Sequence, residues 1–187
     1  SGETATIDTP DPERILAEAK AAGWTITQIW NTHHHFDHAG GNAAIKAATG
    51  ARIVAPAYES DRIAGIDQPV HDGDSVWLGK IEAKVIFTPG HTSGHIVYSL
   101  PDEQVAFVGD TLFALGCGRL FEGTPQQMWA SLSRLARLPD DTVIYCAHEY
   151  TQANARFALS LDPENPALRA YAANVDARRA RGEATVP

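Results

Sequence analysis

The stretch that best indicates how this chain folds and works reads Thr32-His33-His34-His35-Phe36-Asp37-His38. It follows a run of apolar and β-branched residues, 26–32, which predicts a buried strand. Alternate side chains on an extended segment point the same way, so His33 and His35 would face one side. Asp37 and His38 would reach back from the turn that follows. Imidazole and carboxylate groups are ligands for a zinc-like cation, so the stretch predicts a metal site.

Further ligand-type side chains stand at the ends of three other predicted strands, namely His91 in a glycine-rich loop, Asp110 and His148. Because binding groups collect where strand ends and loops converge, we expect them to join the first set at one site. The predicted metal ligands are His33, His35, Asp37, His38, His91, Asp110 and His148.

Seven ligands are too many for one four-coordinate cation, so they divide into two sets. A carboxylate has two oxygens and can bridge, which makes Asp110 the expected bridge between two cations about 3.5–4 Å apart. Two cations would turn a shared water into hydroxide near neutral pH, so the predicted chemistry is hydrolysis of an acyl centre. Asp37 and Asp110 are the predicted catalytic residues.

The overall composition narrows the function classes. In 187 residues, 23 acidic side chains outnumber 15 basic ones and give a net charge of −8, which argues against non-specific binding to nucleic acid or to an anionic membrane. The sequence has no apolar run of membrane-spanning length and no visible secretory signal. Two cysteines make no disulfide framework, so we expect a reducing, cytoplasmic location.

Strands and helices alternate up to about residue 150, and the remainder is predicted to be helical. Residues 1–150 are therefore predicted to form the metal-binding domain, and 151–187 a partial C-terminal helical region. Val143–Cys146 is predicted to be the last buried strand. Cys117 is predicted to be a small buried thiol, and His95 a packing or orienting residue. Core positions are expected for Cys146 and for the four tryptophans, Trp24, Trp30, Trp77 and Trp129.

The histidine-rich motif, with Gly90-His91-Thr92 and Gly109-Asp110-Thr111-Leu112-Phe113 behind it, resembles the metallo-β-lactamase superfamily. Within that superfamily, two later segments resemble glyoxalase II, the hydroxyacylglutathione hydrolase family. These segments are Gly116-Cys117-Gly118-Arg119-Leu120-Phe121-Glu122-Gly123-Thr124 and His148-Glu149-Tyr150-Thr151. The resemblance covers about residues 4 to 187.

The resemblance implies an α/β fold, an αββα sandwich followed by a helical glutathione-binding region. It implies hydrolysis of S-D-lactoylglutathione to D-lactate and glutathione by a metal-bound hydroxide. The family's ligands fall on His33, His35 and His91 for one cation and on Asp37, His38 and His148 for the other, with Asp110 bridging. Two divalent cations are implied, zinc first, with iron or manganese as alternatives.

The resemblance also places glutathione contacts at Tyr150, at Arg119, where some relatives have Lys, and at Phe121, where some have Tyr. The family's first strands and its C-terminal basic residues are expected to be absent from this chain. The expected partner is a small glutathione thioester, bound by a monomer.

Three other functions stay open at this point. A persulfide dioxygenase of the same superfamily, with one iron, would share several motifs. Its loop would more commonly read Gly-Cys-Gly-Arg-Thr-Asp, whereas Leu120-Phe121-Glu122 follow Arg119 here, and its last histidine is commonly followed by Asp, where Glu149 stands here. A metallo-β-lactamase proper usually lacks His38 and has Cys in place of Asp110. The third is a metal-binding fragment without catalysis.

Overall fold

Two β-sheets stack face to face in the computed structural model, which describes residues 2–185. Within that range the strands run as follows: β1 Thr4–Ile7, β2 Ile26–Trp30, β3 Arg52–Pro56, β4 Gln68–Val70, β5 Ser75–Leu78, β6 Ile81–Phe87, β7 Ile96–Leu100, β8 Val105–Gly109, β9 Leu112–Phe113, β10 Gly116–Cys117 and β11 Val143–Cys146. One sheet has the order β1-β2-β3-β4, the other β11-β8-β7-β6-β5, and β9 and β10 form a separate hairpin.

Six α-helices accompany the strands in the described range, and capping side chains begin three of them. They are α1 Pro12–Ala21, α2 Phe36–Ala39, α3 Asn42–Thr49, α4 Pro125–Leu135, α5 Thr151–Leu161 and α6 Pro166–Ala180. Asp11 caps α1 by accepting the Arg14 N–H, and Thr124 forms a capping box with Gln127 at the start of α4. Gly50 ends α3 in the left-handed conformation, at a φ of 73°.

Strand direction gathers the predicted ligands at one edge of the fold. All neighbours in the first sheet are parallel, so the C-terminal ends of β1 and β2 meet. In the second sheet β8 and β11 are parallel, whereas β5 to β8 are antiparallel. Asp110 directly follows β8, and His148 lies two residues after β11, so both leave from adjacent strand ends.

Three apolar clusters separate four layers. The central cluster lies between the sheets and includes Trp30 and Tyr98, whose rings are 5.2 Å apart. A second cluster, around Ile29 and Ile45, packs α1 and α3 on the outer face of the parallel sheet. A third packs α4 on the outer face of the mixed sheet through Leu135. Side chains alternate across β2, so Ile29 and Trp30 enter different layers. The result is the αββα sandwich that the resemblance implies.

The predicted burial of the last strand and of three tryptophans is wrong. Val143–Cys146 is an edge strand, paired only with β8 in the described range, and Val143 and Tyr145 are exposed. Of the four tryptophans only Trp30 is in the core, because the others lie on outer faces that no further layer covers. The sequence analysis also missed α2, β4, β9 and β10, each four residues long or shorter. Short elements carry too few residues for a periodic pattern.

After α4 and β11 the chain continues as two helices that pack against each other. Gln152 on α5 donates to Asp176 on α6, with the two atoms 2.7 Å apart. Among residues 2–185, no helix combines the length and the hydropathy that crossing a bilayer requires.

Candidate metal centre

The histidine-rich segment leaves β2 extended and then closes into the single turn of α2. His33 is fully buried and His38 nearly so, whereas His35 is half-buried and Asp37 is exposed. His35 stands at the N-cap position of α2 in extended conformation, with φ −56° and ψ 148°. The change from strand to turn therefore aims His33 and His35 at one point and Asp37 and His38 at another.

The structure brings all seven predicted ligands together in overlapping groups. In residues 2–185 the groups able to hold a cation are His33–His35–His91, His33–His38–Asp110 and Asp37–His38–His148. Within the first, His35 Nδ1 lies 3.0 Å from His33 Nε2 and 3.1 Å from His91 Nε2. Within the last, His148 Nε2 lies 3.3 Å from His38 Nε2 and 3.4 Å from Asp37 Oδ2.

Asp110 stands between the outer two groups. Its Oδ2 is 3.3 Å from His91 Nε2, and its Oδ1 is 3.3 Å from His38 Nε2 and 3.5 Å from His148 Nε2. Among the described residues, Oδ1 is the buried side-chain oxygen that lacks a hydrogen-bond partner. An orphaned buried carboxylate oxygen is costly unless something else, such as a cation, meets it.

The outward nitrogens of three of the histidines are held by fixed partners. His91 Nδ1 lies 2.8 Å from the carbonyl oxygen of Arg119, which can only accept, so Nδ1 carries the proton and Nε2 turns its lone pair inward. His38 Nδ1 donates in the same way to Asp8 Oδ2 at 2.7 Å, and His33 Nδ1 contacts Thr32 Oγ1 at 3.0 Å. This is how proteins orient imidazoles toward a metal, and the donor set therefore fits a cation.

Asp8 is a functional residue that the sequence analysis missed. It is a buried residue just after β1, with a φ of 57° that non-glycine residues seldom adopt. Its Oδ1 accepts the Thr32 N–H, and its Oδ2 accepts from Thr32 Oγ1 and from His38. The available signal was that Asp8, like Asp110, is a carboxylate at the C-terminal end of a strand.

Burial and mutual repulsion keep most of these imidazoles neutral. Burial lowers the pKa of His91 to about 4, and burial with the neighbouring His95 lowers the pKa of His33 far below its usual range. Burial would also lower the pKa of His38, but its hydrogen bond to Asp8 and the nearby acidic charges outweigh this and raise it. Neutral imidazole is the form that binds metal.

Burial also raises the pKa of Asp110, although His38 and His148 act in the opposite direction. The protein therefore leaves this carboxyl in surroundings that disfavour its charge. A nearby cation would reverse that preference.

His95 lies beside the ligands and holds the backbone instead, as expected. It is fully buried, its Nδ1 contacts the hydroxyls of Thr88 and Thr111 at 3.0 Å each, and its Nε2 accepts the Asp110 N–H at 3.1 Å. Gly109, with a φ of 49°, makes this approach feasible, because a Cβ there would lie 2.7 Å from His95 Nε2. Asp110 is thereby fixed at the end of β8.

A cavity of about 1230 Å³ opens over the ligands. Arg119, Phe121 and Tyr150, the three predicted substrate contacts, all line it. The Phe121 ring lies 5.3 Å from the His91 ring, and the Arg119 guanidinium carbon lies 5.7 Å from the centroid of the Phe121 ring. The Tyr150 ring stacks on the His148 ring at 5.1 Å. Phe121 and Tyr150 thus each contact a predicted ligand histidine.

Cys117 also lines this cavity. The prediction that Cys117 is buried is wrong, because this residue is exposed. It lies on β10, which pairs with β9 in a two-stranded hairpin. Cys146 is half-buried rather than in the core, because β11 is an edge strand.

Comparison with known proteins gives two family matches. The model of the metallo-beta-lactamase superfamily matches residues 4–148, and that of the hydroxyacylglutathione hydrolase C-terminus matches residues 149–187. The chain is 70% identical over its whole length to the hydroxyacylglutathione hydrolase of Maricaulis maris, covering 73% of that protein, and 60% identical to that of Erythrobacter litoralis, covering 74%. Among solved structures, ETHE1 from Myxococcus xanthus superposes with a TM-score of 0.72 at 33% identity, over 80% of this chain and 67% of that one.

Proposed function

Because the chain belongs to the metallo-beta-lactamase superfamily, in its hydroxyacylglutathione hydrolase branch, we propose that it hydrolyses S-D-lactoylglutathione with two divalent cations as cofactors. It is an enzyme, a thioester hydrolase that releases a 2-hydroxy acid and glutathione. The finer parts of the proposal are D-lactate as the acyl product and two as the number of cations.

The observation that carries the two-cation proposal is the position of Asp110. One of its oxygens lies toward His91 and the other toward His38 and His148. A single carboxylate between two sets of inward-facing lone pairs is the arrangement that a bridging ligand needs. We assign His33, His35 and His91 to one cation, Asp37, His38 and His148 to the other, and Asp110 to both.

When bound, the cations would supply Lewis acidity, polarising the thioester carbonyl and acidifying a water molecule. Asp37 is the exposed carboxylate of the cluster, and it lines the cavity. In this proposal its carboxylate holds the proton that the attacking water gives up. The water oxygen bonds to the acyl carbon, the carbon–sulfur bond breaks, and the sulfur leaves as glutathione thiolate, which then takes up the proton.

The cavity lining suits an anionic peptide-like thioester. Arg119 is exposed at the rim and offers a guanidinium that can grip a carboxylate with two hydrogen bonds. Tyr150, half exposed, presents a ring and a hydroxyl. Phe121 adds an apolar face but no hydroxyl, so binding of glutathione here relies more on Arg119 and Tyr150.

The proposal also covers the identity of the metals, the oligomeric state, the cellular location and the domain division. Nitrogen and oxygen ligands accept zinc, iron and manganese, and zinc is our first choice. We also propose a monomer, a cytoplasmic location, and a division into a metal-binding domain, 1–150, and a glutathione-binding helical region, 151–187.

A thioester assay tests the function directly. Purified protein is incubated with S-D-lactoylglutathione, and the loss of thioester absorbance is followed with and without a chelator, alongside metal analysis. We expect turnover, about two cations per chain, and loss of turnover after chelation. Turnover that survives complete metal removal would contradict the proposal, and oxygen uptake with glutathione persulfide in place of thioester cleavage would favour a dioxygenase.

A further inference from the structure

Outside the cavity, a second buried carboxylate joins the loops that carry the ligands. Glu59 ends a single 3₁₀ turn after β3, and only 1% of its surface is exposed. Its Oε1 accepts from Thr92 Oγ1 at 2.5 Å and from the Gly94 N–H at 3.0 Å, and its Oε2 accepts from His34 Nδ1 at 2.9 Å. Three donors are the compensation that a buried carboxylate needs.

These donors belong to two different ligand loops. His34 stands between His33 and His35, and Thr92 directly follows His91. One carboxylate therefore ties together the loops that supply the whole His33–His35–His91 group. It does not contact Asp37, His38 or His148 in any hydrogen bond that the described residues show.

Gly94 lies so close to the Glu59 side chain that no larger residue fits at position 94. A Cβ on Gly94 would lie 2.2 Å from Glu59 Cγ and 2.9 Å from Oε1. Any larger residue would push the 91–95 loop away from Glu59. Thr92 thus provides a hydroxyl donor to Glu59, and Gly94 lets the backbone come close enough for its N–H to donate as well.

The far side of His34 is held as well, which sets its tautomer. Arg62 donates to His34 Nε2 at 3.1 Å, and because Arg cannot accept, Nδ1 must carry the proton that goes to Glu59. Arg62 also pairs with Glu122, and Glu122 accepts the Ser93 N–H at 2.7 Å. Burial acts against its charge, but the Ser93 N–H and Arg62 lower the pKa of Glu122 to about 2, so this outer link stays ionised.

We propose that Glu59, acting through His34, is a positioning residue that sets the spacing of the His33–His35–His91 group and hence the affinity of one of the two cation sites. The inference rests on the proposed function only in assigning those three histidines to one cation. Because Glu59 lies outside the substrate cavity, its effect on turnover would come through metal retention rather than through substrate binding.

The test measures stepwise metal affinity in the full chain. Zinc binding to wild type and to Glu59→Gln is followed by competition with a chromogenic chelator and by native mass spectrometry. Gln keeps an oxygen for Thr92 and Gly94 but places an amide N–H against the His34 N–H. We expect the affinity of one binding step to fall by about 10–100-fold, which is the usual effect of removing a group that orients a metal ligand. The affinity of the other step should stay within about 3-fold of wild type. In the metal-saturated variant, the KM for thioester should be unchanged.

Conservative and double variants separate positioning from general damage. His34→Asn retains a donor for Glu59 and should bind zinc as wild type does, whereas His34→Leu should weaken the same single step. The His34→Leu/Glu59→Gln double variant should be no weaker than the worse single variant, because both break one link. Glu164→Gln, an exposed glutamate paired with Arg169, is the matched control and should change neither step.

Two results would overturn the role of Glu59: unchanged affinity in Glu59→Gln, or equal weakening of both steps together with a lower melting temperature. If the wild type bound a single cation, the two-cation proposal would fail instead. Glu59→Gln would then still have to weaken that one site, and equal affinity would refute the positioning role.

Discussion

At the level of single residues, Asp110 shows how this protein gives up stability for a site. Its carboxyl is buried, one oxygen has no hydrogen-bond partner in the described part of the chain, and its pKa is raised by burial. A side chain selected for stability alone would not be charged at this position. The cost makes sense if the group is arranged for a cation that the folded chain is built to receive.

Asp110→Asn should therefore have opposite effects on stability and on activity. The amide can donate to the inward lone pairs of His38 and His148, so the metal-free variant should melt at a higher temperature than metal-free wild type. Losing a hydrogen-bond partner of a metal ligand lowers metal affinity about 10–100-fold, and losing a ligand itself should lower metal affinity and turnover by more. Calorimetry after chelation, together with metal titration, measures both. A metal-free variant that is less stable than wild type would contradict this account.

Asp8→Asn tests the tautomer argument at one hydrogen bond. An amide N–H at this position would force His38 Nδ1 to accept, which moves the proton to Nε2 and blocks the lone pair that faces the site. We expect metal affinity to fall about 10–100-fold with the fold retained. Asp61→Asn, at an exposed position, serves as the control. Wild-type metal affinity in Asp8→Asn would show that the hydrogen bond does not select the tautomer.

At the level of elements, the junction between β11 and α5 links the site to the helical region. Glu149 directly follows His148 and accepts from Thr151 Oγ1 at 2.6 Å, at the first residue of α5. It also accepts the Thr185 N–H at 2.8 Å, from the segment after α6. One side chain thus connects the end of β11, the start of α5 and the chain beyond α6.

This junction should make stability depend on pH. Burial acts against the charge of Glu149, but hydrogen bonds from Thr151 and Thr185 lower its pKa to about 2, from an unfolded value of 4.5. A lowered carboxyl pKa stabilises the fold above pH 4.5, and this contribution is lost as the pH falls from 4.5 toward 2.

Glu149→Gln should consequently destabilise the chain by about 1 kcal/mol at pH 7, after allowance for solvent screening of a partly exposed group. Gln presents an amide N–H to the Thr185 N–H, which removes one of the bonds. The difference from wild type should shrink as the pH falls from 4.5 and should be a small part of its pH 7 value at pH 2.5. Denaturant unfolding of both chelated chains between pH 7 and 2.5 measures it, with the exposed Glu18→Gln as control. A difference that is constant with pH would refute the role of ionisation.

At the level of the whole molecule, the site is where the two sheets meet. Asp8 and His33 to His38 come from the parallel sheet, whereas His91, Asp110 and His148 come from the mixed sheet. Cations held in common would cross-link the two layers. Metal binding should therefore be coupled to the stability of the entire fold rather than to one loop.

Removing the metal should lower the melting temperature as well as abolish turnover. Free metal at 100 times its dissociation constant would contribute about 2.7 kcal/mol of stability at each site that forms only in the folded chain. Calorimetry of the chelated protein, repeated after stoichiometric zinc is restored, tests this. An unchanged melting temperature would mean that the site does not brace the two sheets.

Much of this molecule was predictable from local sequence because the signals are local. The capped helices α1 and α4 and the longer strands carry periodic or capping patterns of their own. The ligand candidates stood out because His and Asp recur at strand ends. Asp8 was missed because its partners Thr32 and His38 lie 24 and 30 residues away, with no local pattern to link them. Trp24, Trp77 and Trp129 were misjudged because a layer's outer face is defined only after the layers pack.

The sequence was enough to predict the order of the longer strands and helices, the kinds of ligand atom available, and the family likeness, since these follow from side-chain chemistry and short-range backbone preference. The tertiary structure alone decided that Asp110 turns one oxygen to each group of histidines, that Asp8 orients His38, and that Glu59 joins two ligand loops. Those relations depend on distances between residues far apart in the chain. Pairing of β1 with β2 sets the distance from Asp8 to His38, and the packing of one sheet on the other sets the distances for Asp110 and Glu59.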